Sequence, residues 1–190
     1  MLTKEEFIEA TSICPIIPAV KNEEWLEACK QSDCEIVYIV YGDICNIADI
    51  VNEIKSVGKK AIVHIDLISG LAPKEISVDF IAKYTKADGI VSMKPSLIKR
   101  ANELGLFTIQ RFFMIDFIAY RNIIKHAKTT DPDVVDLLPA TLPKVIKYIL
   151  QEIQKPVIAS GLILDKDDVI SALNSGVLAV STTNQEIWNA

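Results

Sequence analysis

Residues 157–188 read VIASGLILDKDDVISALNSGVLAVSTTNQEIW. Two short apolar runs, 157–159 and 178–180, flank a stretch of helical period. Each run stops in small polar residues, Ser160-Gly161 after the first and Ser181-Thr182-Thr183 after the second. Strand, helix and strand in that order form a βαβ unit, the connection that parallel pairing requires. The pattern recurs along the chain: apolar runs begin near Pro15, Glu35, Ala61, Gly89, Phe107, Val134, Pro156 and Leu178. Amphipathic stretches such as NIADIVNEIKSVG, PSLIKRANELG and TLPKVIKYILQEI lie between them. A run that is apolar at every position, like IVYIV at 36–40, suits a parallel strand covered on both faces. Gly58, Gly105 and Gly176 fit positions just past helix ends, and Pro95 and Pro143 fit first helical turns. Eight strands in strict alternation with helices predict a compact (β/α)8 TIM-type barrel, one domain over residues 1–190. A doubly wound open sheet is the alternative, but no G-x-G-x-x-G follows any strand.

Composition agrees with one ordered domain. Of 190 residues 50% are hydrophobic and 24% charged, with 7 Gly and 8 Pro. A chain of this size buries about 70% of its unfolded surface. The longest uncharged apolar run, 36–41, falls far short of the about 20 residues that span a bilayer. The start, MLTKEEFIEA, has no apolar signal core. A cytoplasmic protein without membrane contact is expected. Cys14, Cys29, Cys34 and Cys45 form no C-x-x-C pair, and only His64 and His126 could join them as ligands. Free thiols are therefore expected rather than a zinc site, and no metal or cofactor.

In barrels of this type the loops after the seventh and eighth strands often hold a phosphate. Here those loops are Ser160-Gly161 and Ser181-Thr182-Thr183. The residues TNQE, Thr183 to Glu186, read as a capping box opening a short last helix whose amides would face the mouth. Acids at Asp165, Asp167, Asp168 and Glu186 would then have to point away. In AIVHIDL, alternation puts His64 and Asp66 on the inward face. By the same logic Ser92 and Lys94 of GIVSMK point inward, and Gln110 rather than Arg111 is the inward member of FTIQR. Lys94 would meet a phosphate as a point charge, and Asp66 would accept hydrogen bonds from ligand hydroxyls. The alternative is an interior network of His64, Asp66 and Lys94, with Ser92 and Gln110, that only fills the barrel.

Net charge is −5, which argues against a general nucleic-acid surface. Yet residues 94–128 hold seven Lys or Arg against two acids, Glu103 and Asp116. Arg121, Lys125 and Lys128 recur at helical spacing, Lys99 and Arg100 lie on the preceding helix, and Phe113, Phe117 and Tyr120 are interleaved. Such a cluster can hold a phosphate backbone and stack bases. It can equally be a solvated helix face over core aromatics.

The segments PIIPAVK, YGDI, VHIDLISGL, DGIVSMKPSLIKRANELGLFTIQRFFMID, LLPATLPK, IASGLI and AVSTTNQEIW resemble the glycerol uptake operon antiterminator family, the glycerol-3-phosphate-responsive regulators of bacteria. They extend from Pro15 to Trp188, and VHIDLI paired with TIQRFF is a specific signature. Met93 stands where the family usually has threonine, and Ala140 and Ser160 replace glycines it favours. The resemblance implies a non-enzymatic barrel with glycerol 3-phosphate as effector and leader mRNA as partner, acting in transcription antitermination. Its effector residues would be Asp66, Lys94, Ser160, Gly161, Ser181, Thr182 and Thr183. Lys99, Arg100, Arg111, Arg121 and Lys125 become RNA candidates by their charge alone, and the resemblance leaves room for a homo-oligomer. A phosphate-substrate barrel enzyme of isomerase or lyase type is the competing reading.

Overall fold

The computed structural model describes residues 2–188. Helix α1 (Lys4–Ile13) comes first. Seven strand–helix units follow: β1 (Ile16–Val20), α2 (Glu23–Lys30), β2 (Ile36–Ile39), α3 (Ile47–Ser56), β3 (Lys60–His64), α4 (Glu75–Tyr84), β4 (Gly89–Ser92), α5 (Pro95–Glu103), β5 (Phe107–Phe113), α6 (Phe117–Thr129), β6 (Val134–Leu138), α7 (Pro143–Glu152), β7 (Val157–Ser160) and α8 (Lys166–Leu173). β8 (Ala179–Thr182) ends the series. The strands are all parallel, and β1 pairs with β8 as well as β2, so the sheet closes into a (β/α)8 barrel. Pro95 and Pro143 open α5 and α7, where the missing amide is not needed. No helix of the described residues is long and apolar enough to cross a membrane.

Register divides every strand into an inner and an outer row. Ala19, Tyr38, Ile62, Gly89 and Phe107 are successive partners around the wall. One layer nearer the mouth, Arg111 pairs with Asp136, Asp136 with Ile158, and Ile158 with Ala179. These rows share a buried cluster inside the barrel, distinct from the cluster between strands and helices. Strand period alone could not say which row is inner, because both rows are apolar.

Two expectations fail on this point. Gln110 is the partner of Ser92 and of Val135, and Val135 belongs to the outer cluster. Gln110 and Ser92 therefore occupy the outer row, and Arg111 is the inward member of its pair. The side chain of Gln110 is fully buried, and neither amide atom has a hydrogen-bond partner.

α1 stoppers the end of the barrel opposite the strands' carboxyl ends. Its Thr3 cap and Glu6 form a reciprocal capping box. Phe7 is buried against the interior and stacks on Phe107 with ring centres 5.0 Å apart. Among the described residues no α-helix follows β8; a single 3-10 turn, Gln185–Ile187, takes its place. Trp188 then packs edge-on against Trp25 of α2, 5.8 Å between centres, and covers the seam where the barrel closes.

Candidate functional site

At the carboxyl ends of the strands lies a cavity of about 510 Å³, walled chiefly by the two loops that follow β7 and β8. The structure brings Ser160, Gly161, Ser181, Thr182 and Thr183 together around it, with Leu162, Leu164 and Asn184 at its edge. Gly161 turns the chain out of β7 at φ +75, and a Cβ there would press on Leu138 at 3.4 Å. Only glycine takes that backbone conformation without strain.

The two loops are tied to each other. Asn184 Nδ2 donates to the Leu164 carbonyl at 2.8 Å, and the Asn184 amide donates to Thr182 Oγ1 at 3.0 Å. From below, Trp188 Nε1 donates to the Thr182 carbonyl at 3.1 Å. The expected capping box at Thr183 is absent: Asn184 caps the turn by accepting from the Glu186 amide, and the three-residue turn carries no helix dipole. The acids keep clear of the cavity as anticipated. Asp165 caps α8, and Asp168 accepts from the Leu164 amide. Neither is among the lining residues.

Arg111 is the one charged side chain among the described residues that line this space. Its Nε donates to Asp136 Oδ2 at 2.7 Å, and Ser160 Oγ donates to Asp136 Oδ1 at 2.6 Å. Asp136 is completely buried and Arg111 nearly so. Burial alone would lower the guanidinium's pKa; the charge of Asp136, with Tyr38, the hydrogen bond to Asp136 and the charge of Asp66 added, outweighs burial and raises it. Among the described residues the two Nη groups of Arg111 make no hydrogen bond. The backbone amides of Gly161, Leu162, Ile163 and Thr183 likewise donate to nothing. A buried, permanently charged fork with free amino groups, in one cavity with residues whose amides are unspent, suits an oxyanion.

The other residues expected to point inward stand apart, and Lys94, on the row of Ser92, is partly exposed. Lys94 and Asp66 do not line the cavity. Asp66 sits in the 3-10 turn Ile65–Leu67 and accepts from Ser92 Oγ, the Met93 amide at 2.8 Å and Lys94 Nζ at 2.9 Å. With its carboxylate so occupied, it braces the loops after β3 and β4 instead of offering itself to a ligand. His64 does not join that brace. It is buried with Nδ1 unpartnered, and burial, then the charge of Arg111, pushes its pKa down to about 4.

Of the basic residues, Arg111 is inside the barrel, and Arg100 is held by Asp79 and Glu103 at 2.6 and 2.7 Å. Arg111 leaves the RNA set by its burial, and Arg100 stays at the surface with its charge paired. Lys99, Arg121, Lys125 and Lys128 remain exposed. Asp136 is the residue that sequence reasoning missed. Its signal was present: an acid inside the apolar strand VVDLL must find a buried cation.

Residues 16–188 match the family model described as glycerol-3-phosphate responsive antiterminator. The chain is 41% identical over 174 residues to the uncharacterized protein YgcP of Escherichia coli (strain K12), covering 92% of this chain and 91% of that one. It is similar in structure to a glycerol uptake operon antiterminator regulatory protein of Listeria monocytogenes, with 31% identity, a TM-score of 0.89, and 92% and 95% of the two chains covered. A glycerol uptake operon antiterminator-related protein of Thermotoga maritima gives 30% identity and a TM-score of 0.82, with 92% and 98% covered.

Proposed function

The chain belongs to the glycerol-3-phosphate responsive antiterminator family, and from that premise we propose that its barrel mouth binds glycerol 3-phosphate and that the liganded protein acts on the leader mRNA of glycerol-utilisation genes. The observation that carries the effector reading is Arg111. It is a cation fixed at Nε by Asp136, free at both Nη groups, and alone in charge among the described lining of a cavity whose other polar groups are hydroxyls and amides. The phosphate sits between that fork and the loops after β7 and β8. Ser181 and Thr183 are within its shell, and Ser160 acts indirectly by orienting Asp136.

The role is binding without turnover. Proton transfer on a triose phosphate needs a base near its operating pH beside the substrate. His64 is far below that range, and Asp66 is committed to three donors. On the RNA side, the exposed Lys99, Arg121 and Lys125 supply the local positive field that an acidic protein needs to hold a phosphate backbone. A protein that reads a transcript in this way works in the cytoplasm.

Thermal unfolding with added ligand tests the effector. Glycerol 3-phosphate at a hundredfold excess over Kd should stabilise by about 2.7 kcal/mol, a rise in Tm of roughly 5–10 °C, and glycerol should give none. Arg111→Gln should abolish the ligand-dependent shift whatever its own Tm, and Lys94→Ala should keep it. Equal shifts from both ligands would remove the phosphate site. For RNA, Arg121→Glu with Lys125→Glu should lower leader affinity, less so as salt rises, and leave the effector-induced shift intact. Unchanged binding by that double reversal would clear α6 of the role.

A further inference from the structure

The mouth is rimmed by apolar side chains that no small polar effector needs. Phe113, Ile115, Phe117, Ile118, Leu162 and Leu164 are between 49% and 80% exposed. They follow one another around the mouth, with Phe117 at the outer edge against Tyr120: Phe113 is the register partner of Leu138, and Leu138 lies close to Gly161, next to Leu162. Ile115, Phe117 and Ile118 continue from Phe113 through the first turn of α6. Together the six expose on the order of 800 Å². The largest apolar patch of a typical monomer is about 300–600 Å², whereas ~800 Å² is what one partner contributes to a standard interface.

We propose that this rim is the interface of a homodimer, two copies of the chain meeting mouth to mouth about a twofold axis. A twofold contact lays the same patch against itself, so a patch of one charge sign would repel its copy and an apolar, nearly neutral one would not. The charged residues interrupting the rim, Asp116, Asp165 and Lys166, give it no positive excess. The cations behind it, Lys94 and Arg111, are already paired with Asp66 and Asp136. Four of the six rim side chains are aliphatic, and bases stack on aromatic faces. An RNA strand thus finds two aromatic faces but no cationic excess to hold its backbone here, and a second copy finds both area and neutrality. The cavity lies inside the rim, so the partner would close the space above it.

Sedimentation velocity at micromolar concentration tests this. The full chain should run at twice the monomer mass of 21.1 kDa. Ile118→Asp and Leu164→Asp should each weaken association roughly 100-fold or more, the scale of an interface hot spot. Ile13→Asp, an equally exposed site on α1 at the opposite end, should remain dimeric. Circular dichroism melts matching the wild type establish that the rim variants fold; Ile118→Ser and Leu164→Ser serve where an aspartate variant does not. A wild type that runs as a monomer at every concentration overturns the proposal, as does a folded rim variant that stays dimeric. A monomer whose leader-RNA binding is lost in Ile118→Asp would hand the rim to RNA instead.

Discussion

Three strand residues show how much the choice between inner and outer row decides. His64 is buried neutral, with a pKa near 4 against an ordinary 6.5. Its folded value is the lower one, so the unfolded chain takes up the proton first. The stability this contributes is complete above pH 6.5 and is lost as pH falls toward 4, by up to ~3 kcal/mol. Urea unfolding across that window should show the loss, and His64→Leu should flatten the slope by about one proton. Gln110 predicts the opposite kind of effect. Its two buried amide atoms lack partners, so Gln110→Met should stabilise by about 1–3 kcal/mol, read as a higher urea midpoint. These residues also mark where the sequence stopped being legible. FTIQR offers a strict alternation, and alternation correctly pairs Ile109 with Arg111 on one row. It does not label the row, because helices and barrel interior are equally greasy. Assigning the apolar face to the helices sent Gln110 inward and Arg111 to the surface, and with Arg111 went the cation of the cavity. Partnering would have recovered it, since Asp136 in a continuous apolar strand needs a buried counter-charge.

Elements were far easier to read. The observed strands start within a residue of the apolar runs, because the fold repeats one βαβ rule and each repeat carries its own stop signals. Gly58 and Gly105 lie just past the ends of α3 and α5 with positive φ, as their positions suggested. The element misjudged is the last. TNQE has the letters of a capping box, but only a three-residue turn fits before Trp188 folds back onto Trp25. Two predictions belong here. A Cβ on Gly89 of β4 would lie 2.2 Å from the Phe107 carbonyl oxygen and 2.8 Å from its Cβ. Gly89→Ala should therefore destabilise by on the order of 3 kcal/mol or more, because two strands of a closed barrel cannot move apart independently. Asn184 is the strap between the loops after β7 and β8. Asn184→Ala should lower stability by only about 1–2 kcal/mol, and the glycerol 3-phosphate-induced thermal shift should shrink clearly more than that loss explains. A full-sized shift would mean that the loops keep their places without it.

At the scale of the whole molecule, closure was predictable and the seal was not. Eight repeats imply a barrel; nothing in the helical period of KEEFIEATSI says that α1 lies under it instead of beside it. Phe7 reaches Phe107 across a hundred positions of chain because the bottom layer of the barrel interior ends in an apolar surface that α1 covers. A chain ending at Gly176 keeps all eight α-helices and loses β8 with the short turn and Trp188 that follow it. It should nevertheless accumulate as insoluble aggregate, measurable as the soluble fraction after expression, because β1 and β7 are both left as open edges. The seam between β1 and β8 also sets a clock. Residues Ile16 to Pro18 pair with Val180 to Thr182, and a ribosome adding about 5–20 residues per second separates them by roughly 10–30 s. Throughout that interval the oldest strand has one neighbour and the growing sheet has two raw edges. A barrel sewn shut by its first and last strands cannot be partly ready: the regulator comes into existence only once β8 has been made and has found β1.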